Sequence, residues 1–185
     1  NKAYNDKQDE ECLADVRAKI DEWKAKDNDV AAIIVEPIQS EGGDHYGSPN
    51  FFKGLRKITK DKGIVFIVDE VQTGGGGANG DIWAHAHWNL QDAPDMVTFS
   101  KKLLTGGFYF ADHLKVNEGY RIYNTWMGDP TKLLLLEKVV EVYEKEGLLK
   151  RGKEVGQYFQ KNLAQFQKTH SSLVSGARGL GACCH

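Results

Sequence analysis

Two carboxylates and an amine close three short apolar runs. Residues 30–35 (Val-Ala-Ala-Ile-Ile-Val) lead into Glu36, residues 64–68 (Ile-Val-Phe-Ile-Val) into Asp69, and Met96-Val97-Thr98-Phe99 into Ser100-Lys101-Lys102. Unbroken apolar runs of this length suit strands buried on both faces, as in a parallel sheet. Ligands of such sheets bind outside the carboxyl ends of the strands. A lysine placed there has a use besides surface charge: its neutral amine attacks a carbonyl carbon to form a Schiff base. On a pyridine-type cofactor that chemistry needs a carboxylate to keep the ring nitrogen protonated, so that the ring accepts carbanion electrons. Asp69 suits that task. The plain alternative, that charged residues follow strands because loops are wet, stays open at this point.

Other patterns carry less. Gly75-x-Gly77-x-x-Gly80 formally matches a dinucleotide fingerprint, but residues 69–73 separate it from the apolar run, where that fingerprint turns at the strand end. We read it as a chance match in a loop. His85 and His87 flank Ala86 and have no evident third ligand, so no metal is expected. Three cysteines, two of them adjacent at Cys183-Cys184, make a poor disulfide framework.

The elements that must position Asp69 and Lys101 alternate between strand and helix. Residues 11–26 read as an amphipathic helix on Leu13, Val16, Ile20 and Trp23. Ser48-Pro49 opens a second helix that Gly63 ends, with Phe51, Phe52, Leu55 and Ile58 as its apolar face. Phe108-Tyr109-Phe110 is a fourth strand candidate. Asp129-Pro130 starts a helix broken at Gly147, and a further helix runs to about His170, with Val155, Phe159, Leu163 and Phe166 inward. The class is α/β with a mostly parallel sheet and flanking helices. In 185 residues, 41% hydrophobic and 27% charged residues fit a globular chain. A net charge of −2 without a basic stripe speaks against nucleic acid or an anionic membrane as the main partner.

Val35-Glu36-Pro37-Ile38-Gln39-Ser40-Glu41-Gly42-Gly43, Val68-Asp69-Glu70-Val71-Gln72-Thr73-Gly74 and Thr98-Phe99-Ser100-Lys101-Lys102 resemble, in order and separation, the linked motifs of class III aminotransferases. Trp83-Ala84-His85-Ala86-His87-Trp88 and residues 120–130 are most similar to the eukaryotic branch that acts on 4-aminobutyrate. The resemblance covers most of the chain, from about Val30 to Gly181. It implies a fold-type I pyridoxal-phosphate transferase: residues 1–130 from the large cofactor domain, 131–170 as helices linking to the small domain, and 171–185 as its start.

Carried onto this sequence, the resemblance makes Lys101 the lysine that binds pyridoxal 5'-phosphate covalently and later moves the substrate proton. Lys102 beside it is a bystander. Asp69 pairs with the pyridinium nitrogen, Val71 packs under the ring, and Gln72 lies near the phenolic oxygen. Thr125 reaches the cofactor phosphate of the partner subunit in a homodimer. Glu41 neutralises a substrate-site arginine, letting one pocket take both 4-aminobutyrate and glutamate; Glu36 is a supporting residue. The implied reaction turns 4-aminobutyrate and 2-oxoglutarate into succinate semialdehyde and glutamate by ping-pong transfer, in the mitochondrial matrix. The start at Asn1 and the Cys183-Cys184-His185 end suggest a fragment, inactive by itself. An ornithine-type relative and a non-catalytic product remain the other readings.

Overall fold

Lys2 pairs with Asp6, Lys7 with Glu11 and Lys19 with Asp15, each four residues apart, and helix α1 (Lys2–Lys24) spans them all. Such pairs favour helix by a few tenths of a kcal/mol each. They carry the helix well upstream of the apolar stripe that predicts it only from residue 11. The computed structural model describes residues 2–76 and 80–185. The chain divides into two units, the first running to Asp69 with His85–Thr98 and Phe108–Lys115 added, the second holding Glu70–Ala84, Phe99–Gly107 and Val116–His185.

In the first unit, β1 (Ala32–Val35) is followed by a short hairpin of β2 (Ile38–Gln39) and β3 (His45–Tyr46). Helix α2 (Pro49–Lys62) then begins where Ser48 accepts the Phe51 N–H at 3.0 Å, and ends on a left-handed Gly63. β4 (Val65–Asp69) and β5 (Met96–Phe99) complete the parallel core, and β6 (Gly107–Phe110) lies at the edge, in the order β1-β4-β5-β6. The register pairs Val35 with Val68, Val68 with Val97, and Asp69 with Thr98. The β2–β3 hairpin escapes the sequence reading, since two-residue strands carry no periodicity.

Phe52, Leu55, Phe66, Val68 and Trp88 form the central cluster, with Phe52 and Trp88 stacked at 3.8 Å between ring centroids. Phe66 and Val68 are wholly buried, each stabilising the unit by about 1.5–3 kcal/mol relative to exposure. Asp95 ties helix to sheet: its carboxylate accepts from the two terminal guanidinium nitrogens of Arg56, at 2.7 and 3.1 Å, and from the Phe66 N–H at 2.8 Å.

In the second unit, α3 (Pro130–Glu146) starts on Asp129, which accepts the Thr131 N–H at 2.9 Å, and α4 (Leu148–Thr169) follows across Gly147. β7 (Gly179–Leu180) and β8 (Cys183–Cys184) pair as an antiparallel hairpin. The inward face of α4 differs from the sequence reading. Val155, Phe159 and Phe166 are exposed, while Gly156 is buried against Gly181 and Gln160 donates to the Gly181 carbonyl at 2.8 Å. Close packing of a glycine decides the face here, where apolar content alone does not. Among the described residues, no helix is long and apolar enough to cross a membrane.

Candidate functional site

Asp69 ends the central strand of the first unit, β4. Its side chain is held from the neighbouring strand: Thr98 donates its hydroxyl to Asp69 Oδ1 at 3.0 Å. Asp69 and Glu36 line one cavity of about 610 Å³, together with Gln39, His45, Tyr46 and Phe52. Two of the three strand-end groups, both carboxylates, therefore share a hollow; Lys101 is not among its lining residues. Glu36 also accepts the Ser40 N–H at 3.4 Å, at the start of the turn between β2 and β3. Glu41 rides exposed on that turn and is not part of the cavity wall.

Beyond β4 the chain enters the second unit as a tight turn. Glu70 is fully buried and accepts the Thr73 hydroxyl at 2.5 Å and the Ala84 N–H at 3.1 Å, while its own carbonyl accepts the Gly74 N–H at 2.8 Å. Val71 and Gln72 are half-buried in this turn. Gly75 stands at φ +78, where a β-carbon would lie 3.1 Å from that of Lys102, and its carbonyl accepts the Tyr143 hydroxyl at 2.8 Å. Gly80 also has a positive φ, whereas Gly77 of the glycine pattern lies outside the described residues. Of this pattern, the described residues Gly75, Gly76 and Gly80 lie in turns.

Lys101 opens a short 3-10 turn after Ser100, with its backbone at φ +49. A long side chain in the left-handed region is uncommon, and such outliers gather at functional sites. Its side chain is exposed and makes no hydrogen bond or ion pair among the described residues. Lys102 is engaged instead: its ammonium donates to the Gln72 carbonyl. Burial pushes the Lys102 amine below the ordinary lysine range; Cys183 and Glu70 oppose that shift, and Lys101 adds to it. Lys102 thus braces the turn that carries Val71 and Gln72.

Thr125 lies exposed in a turn among strongly exposed aromatics, with Tyr120 94%, Tyr123 75% and Trp126 83% accessible. Thr98, Glu70, Lys102 and Tyr143 are the supporting residues that sequence reasoning misses. Thr98 and Lys102 were visible inside a motif, but only the register β4–β5 and the fold of the 70–76 turn give them partners.

The family described as "Aminotransferase class-III" matches residues 1–185. A "Probable 4-aminobutyrate aminotransferase, mitochondrial" from Caenorhabditis elegans is 70% identical over 181 residues, 98% of this chain and 37% of that protein. "4-aminobutyrate aminotransferase, mitochondrial" from Sus scrofa is 45% identical over 180 residues, 97% of this chain and 36% of that protein. The chain thus spans little more than a third of these relatives. Among solved structures, "Lysine aminotransferase from M. tuberculosis in the internal aldimine form" superposes with a TM-score of 0.86 at 32% identity, over 95% of this chain and 40% of that one.

Proposed function

Since the chain belongs to the class-III aminotransferase family, with the fold of type I pyridoxal-phosphate enzymes, we propose that it is part of an enzyme that moves the amino group of 4-aminobutyrate to 2-oxoglutarate. The products are succinate semialdehyde and glutamate, made in two alternating half-reactions. The observation that carries the chemistry is Lys101, an exposed lysine held at φ +49 just past a parallel strand. The two relatives named for 4-aminobutyrate support the choice of donor. Their names also support a mitochondrial site, which we place in the matrix.

The residues present fit the cofactor of this family, pyridoxal 5'-phosphate. Asp69 is a carboxylate at a strand end that lines a hollow and accepts a hydroxyl. Lys101 is an exposed amine that makes no hydrogen bond or ion pair among the described residues. When bound, the cofactor supplies an electron sink for the carbanion formed at the substrate carbon. Lys101 would hold it covalently and, once released, would move the proton at the substrate carbon. That role requires a neutral amine at the moment of attack. Asp69 would keep the ring nitrogen protonated, with Val71 and Gln72 as the residues that would hold the ring and its phenolic oxygen. Glu41, on its exposed turn, pairs with a substrate-site arginine supplied from elsewhere. Thr125 serves the phosphate of a second copy, and the exposed aromatics around it support a homodimer. We divide the chain as large domain to residue 130, linking helices to 170, and the start of the small domain to 185.

A diamine donor is the competing reading, favoured by the likeness to a structure named for lysine transamination. The test is to purify the full-length protein with pyridoxal phosphate, reduce it with borohydride, digest it and map the modified lysine, then compare amino donors. The modification is expected at Lys101, with 4-aminobutyrate turned over faster than ornithine or lysine. Modification at Lys102 or nowhere overturns the residue assignment; faster turnover of a diamine overturns the donor.

A further inference from the structure

We propose that Thr98 is a positioning residue for the Asp69 carboxylate, fixing the orientation in which that group meets the protonated ring nitrogen of a pyridine cofactor. The inference rests on the reading of Asp69 above. Thr98 sits opposite Asp69 in the parallel register of β4 and β5, so the two side chains share one face of the sheet. Its hydroxyl lies 3.0 Å from Asp69 Oδ1. Both residues are half-buried.

Three features separate this contact from incidental pairing. The rest of β5, Met96, Val97 and Phe99, is apolar, so packing alone would be met by a valine of the same shape at residue 98. Threonine on a strand has few χ1 rotamers, so its hydroxyl oxygen has a fixed place from which the O–H turns to its acceptor. A carboxylate can swing about its Cβ–Cγ bond, and a hydrogen bond to one of its oxygens from a fixed place restrains that swing. The charge is then offered to the ring nitrogen in one plane, with no ordering left to be done when the cofactor binds. Asp69 can be steadied this way because β4 and β5 run parallel with their carboxyl ends together.

The test uses the full-length protein, with the variants Thr98→Val and Thr98→Ser and with Asp69→Asn as a control for the underlying reading. The readouts are the dissociation constant of pyridoxal phosphate, the pH midpoint of the bound cofactor's visible absorption, and the thermal midpoint of the cofactor-free protein. For Thr98→Val we expect about tenfold weaker cofactor binding, the usual consequence of losing one hydrogen bond to a charged group. The absorption midpoint is expected to move and Thr98→Ser to restore both cofactor readouts, with the cofactor-free thermal midpoint falling by no more than the loss of this one hydrogen bond gives. If Thr98→Val binds within twofold of the parent with an unmoved midpoint while Asp69→Asn loses the cofactor, the positioning role is overturned and Asp69 stands. Weakened binding that Thr98→Ser does not restore, with a lowered thermal midpoint, overturns it as a packing effect. If Asp69→Asn itself leaves cofactor and absorption unchanged, the reading of Asp69 falls and the proposal falls with it.

Discussion

The Glu70 carboxylate, with no exposed surface, accepts the Thr73 hydroxyl at 2.5 Å and so closes the turn that leaves the strand end at Asp69. A buried charge is tolerated because its hydrogen bonds replace water. Glu70→Ala leaves the Thr73 hydroxyl and the Ala84 N–H without this acceptor. We expect a loss of about 2–4 kcal/mol, since each stranded buried donor costs about 1–3 kcal/mol. Denaturant melting of the full-length protein checks this. Glu70→Gln, which keeps an acceptor oxygen, is expected to lose less.

Lys102 carries a pH signature. Burial lowers its folded pKa below the ordinary 10.5, so between the two values the unfolded chain binds more protons than the folded one. Stability is therefore expected to rise with pH through that alkaline window, and to sit lower at neutral pH. Lys102→Met should flatten this rise. It should also speed amide exchange across residues 71–76, because the Gln72 carbonyl loses its donor. An unchanged alkaline profile would count against the partial desolvation of this amine.

Asp95 acts in the opposite sense. Burial pushes its pKa up, but the Arg56 hydrogen bonds, the Phe66 N–H and the Arg56 charge outweigh it and hold the carboxyl below 3.8. Its stabilising contribution is full above the unfolded value and is lost as pH falls through the folded one. Asp95→Asn is expected to cost about 3 kcal/mol near neutral pH, because it strands the Arg56 charge at 13% exposure. The difference from the parent should shrink in acid. Urea midpoints across a pH series measure both effects.

Gly156 lies within α4, where alanine would ordinarily stabilise a helix by about 1 kcal/mol. Here its β-carbon would sit 2.3 Å from the Gly181 carbonyl carbon and oxygen, against backbone that must move. Gly156→Ala is therefore expected to destabilise by about 1–3 kcal/mol net. The β7–β8 hairpin should lose hydrogen-exchange protection first. A neutral or stabilised variant would contradict the packing.

Much of the framework was legible because it depends on short-range rules. Ser48-Pro49 and Gly63 bound α2, Asp129-Pro130 and Gly147 bound α3, and the run before Asp69 is β4 as read. Each signal lies within a few residues of the feature it specifies. The face of α4 was not legible. It turns on Gly156 meeting Gly181, 25 residues ahead, and its apolar residues Val155, Phe159 and Phe166 point elsewhere.

The site divides along the same line. Which groups are available can be read from residue order: Asp69 after one apolar run, Lys101 after another, and the motifs that place the chain among class-III aminotransferases. Side-chain chemistry and strand periodicity are local properties, and they survive without coordinates. How those groups are held depends on packing between distant segments. Parallel register puts Thr98 beside Asp69 although 29 residues separate them. The fold of the second unit turns Lys102 into a brace on the Gln72 carbonyl and leaves Lys101, its neighbour at φ +49, without a hydrogen bond among the described residues. Adjacent lysines are chemically identical in a sequence. Hydrogen-bond direction and desolvation, which exist only between packed surfaces, give them different work.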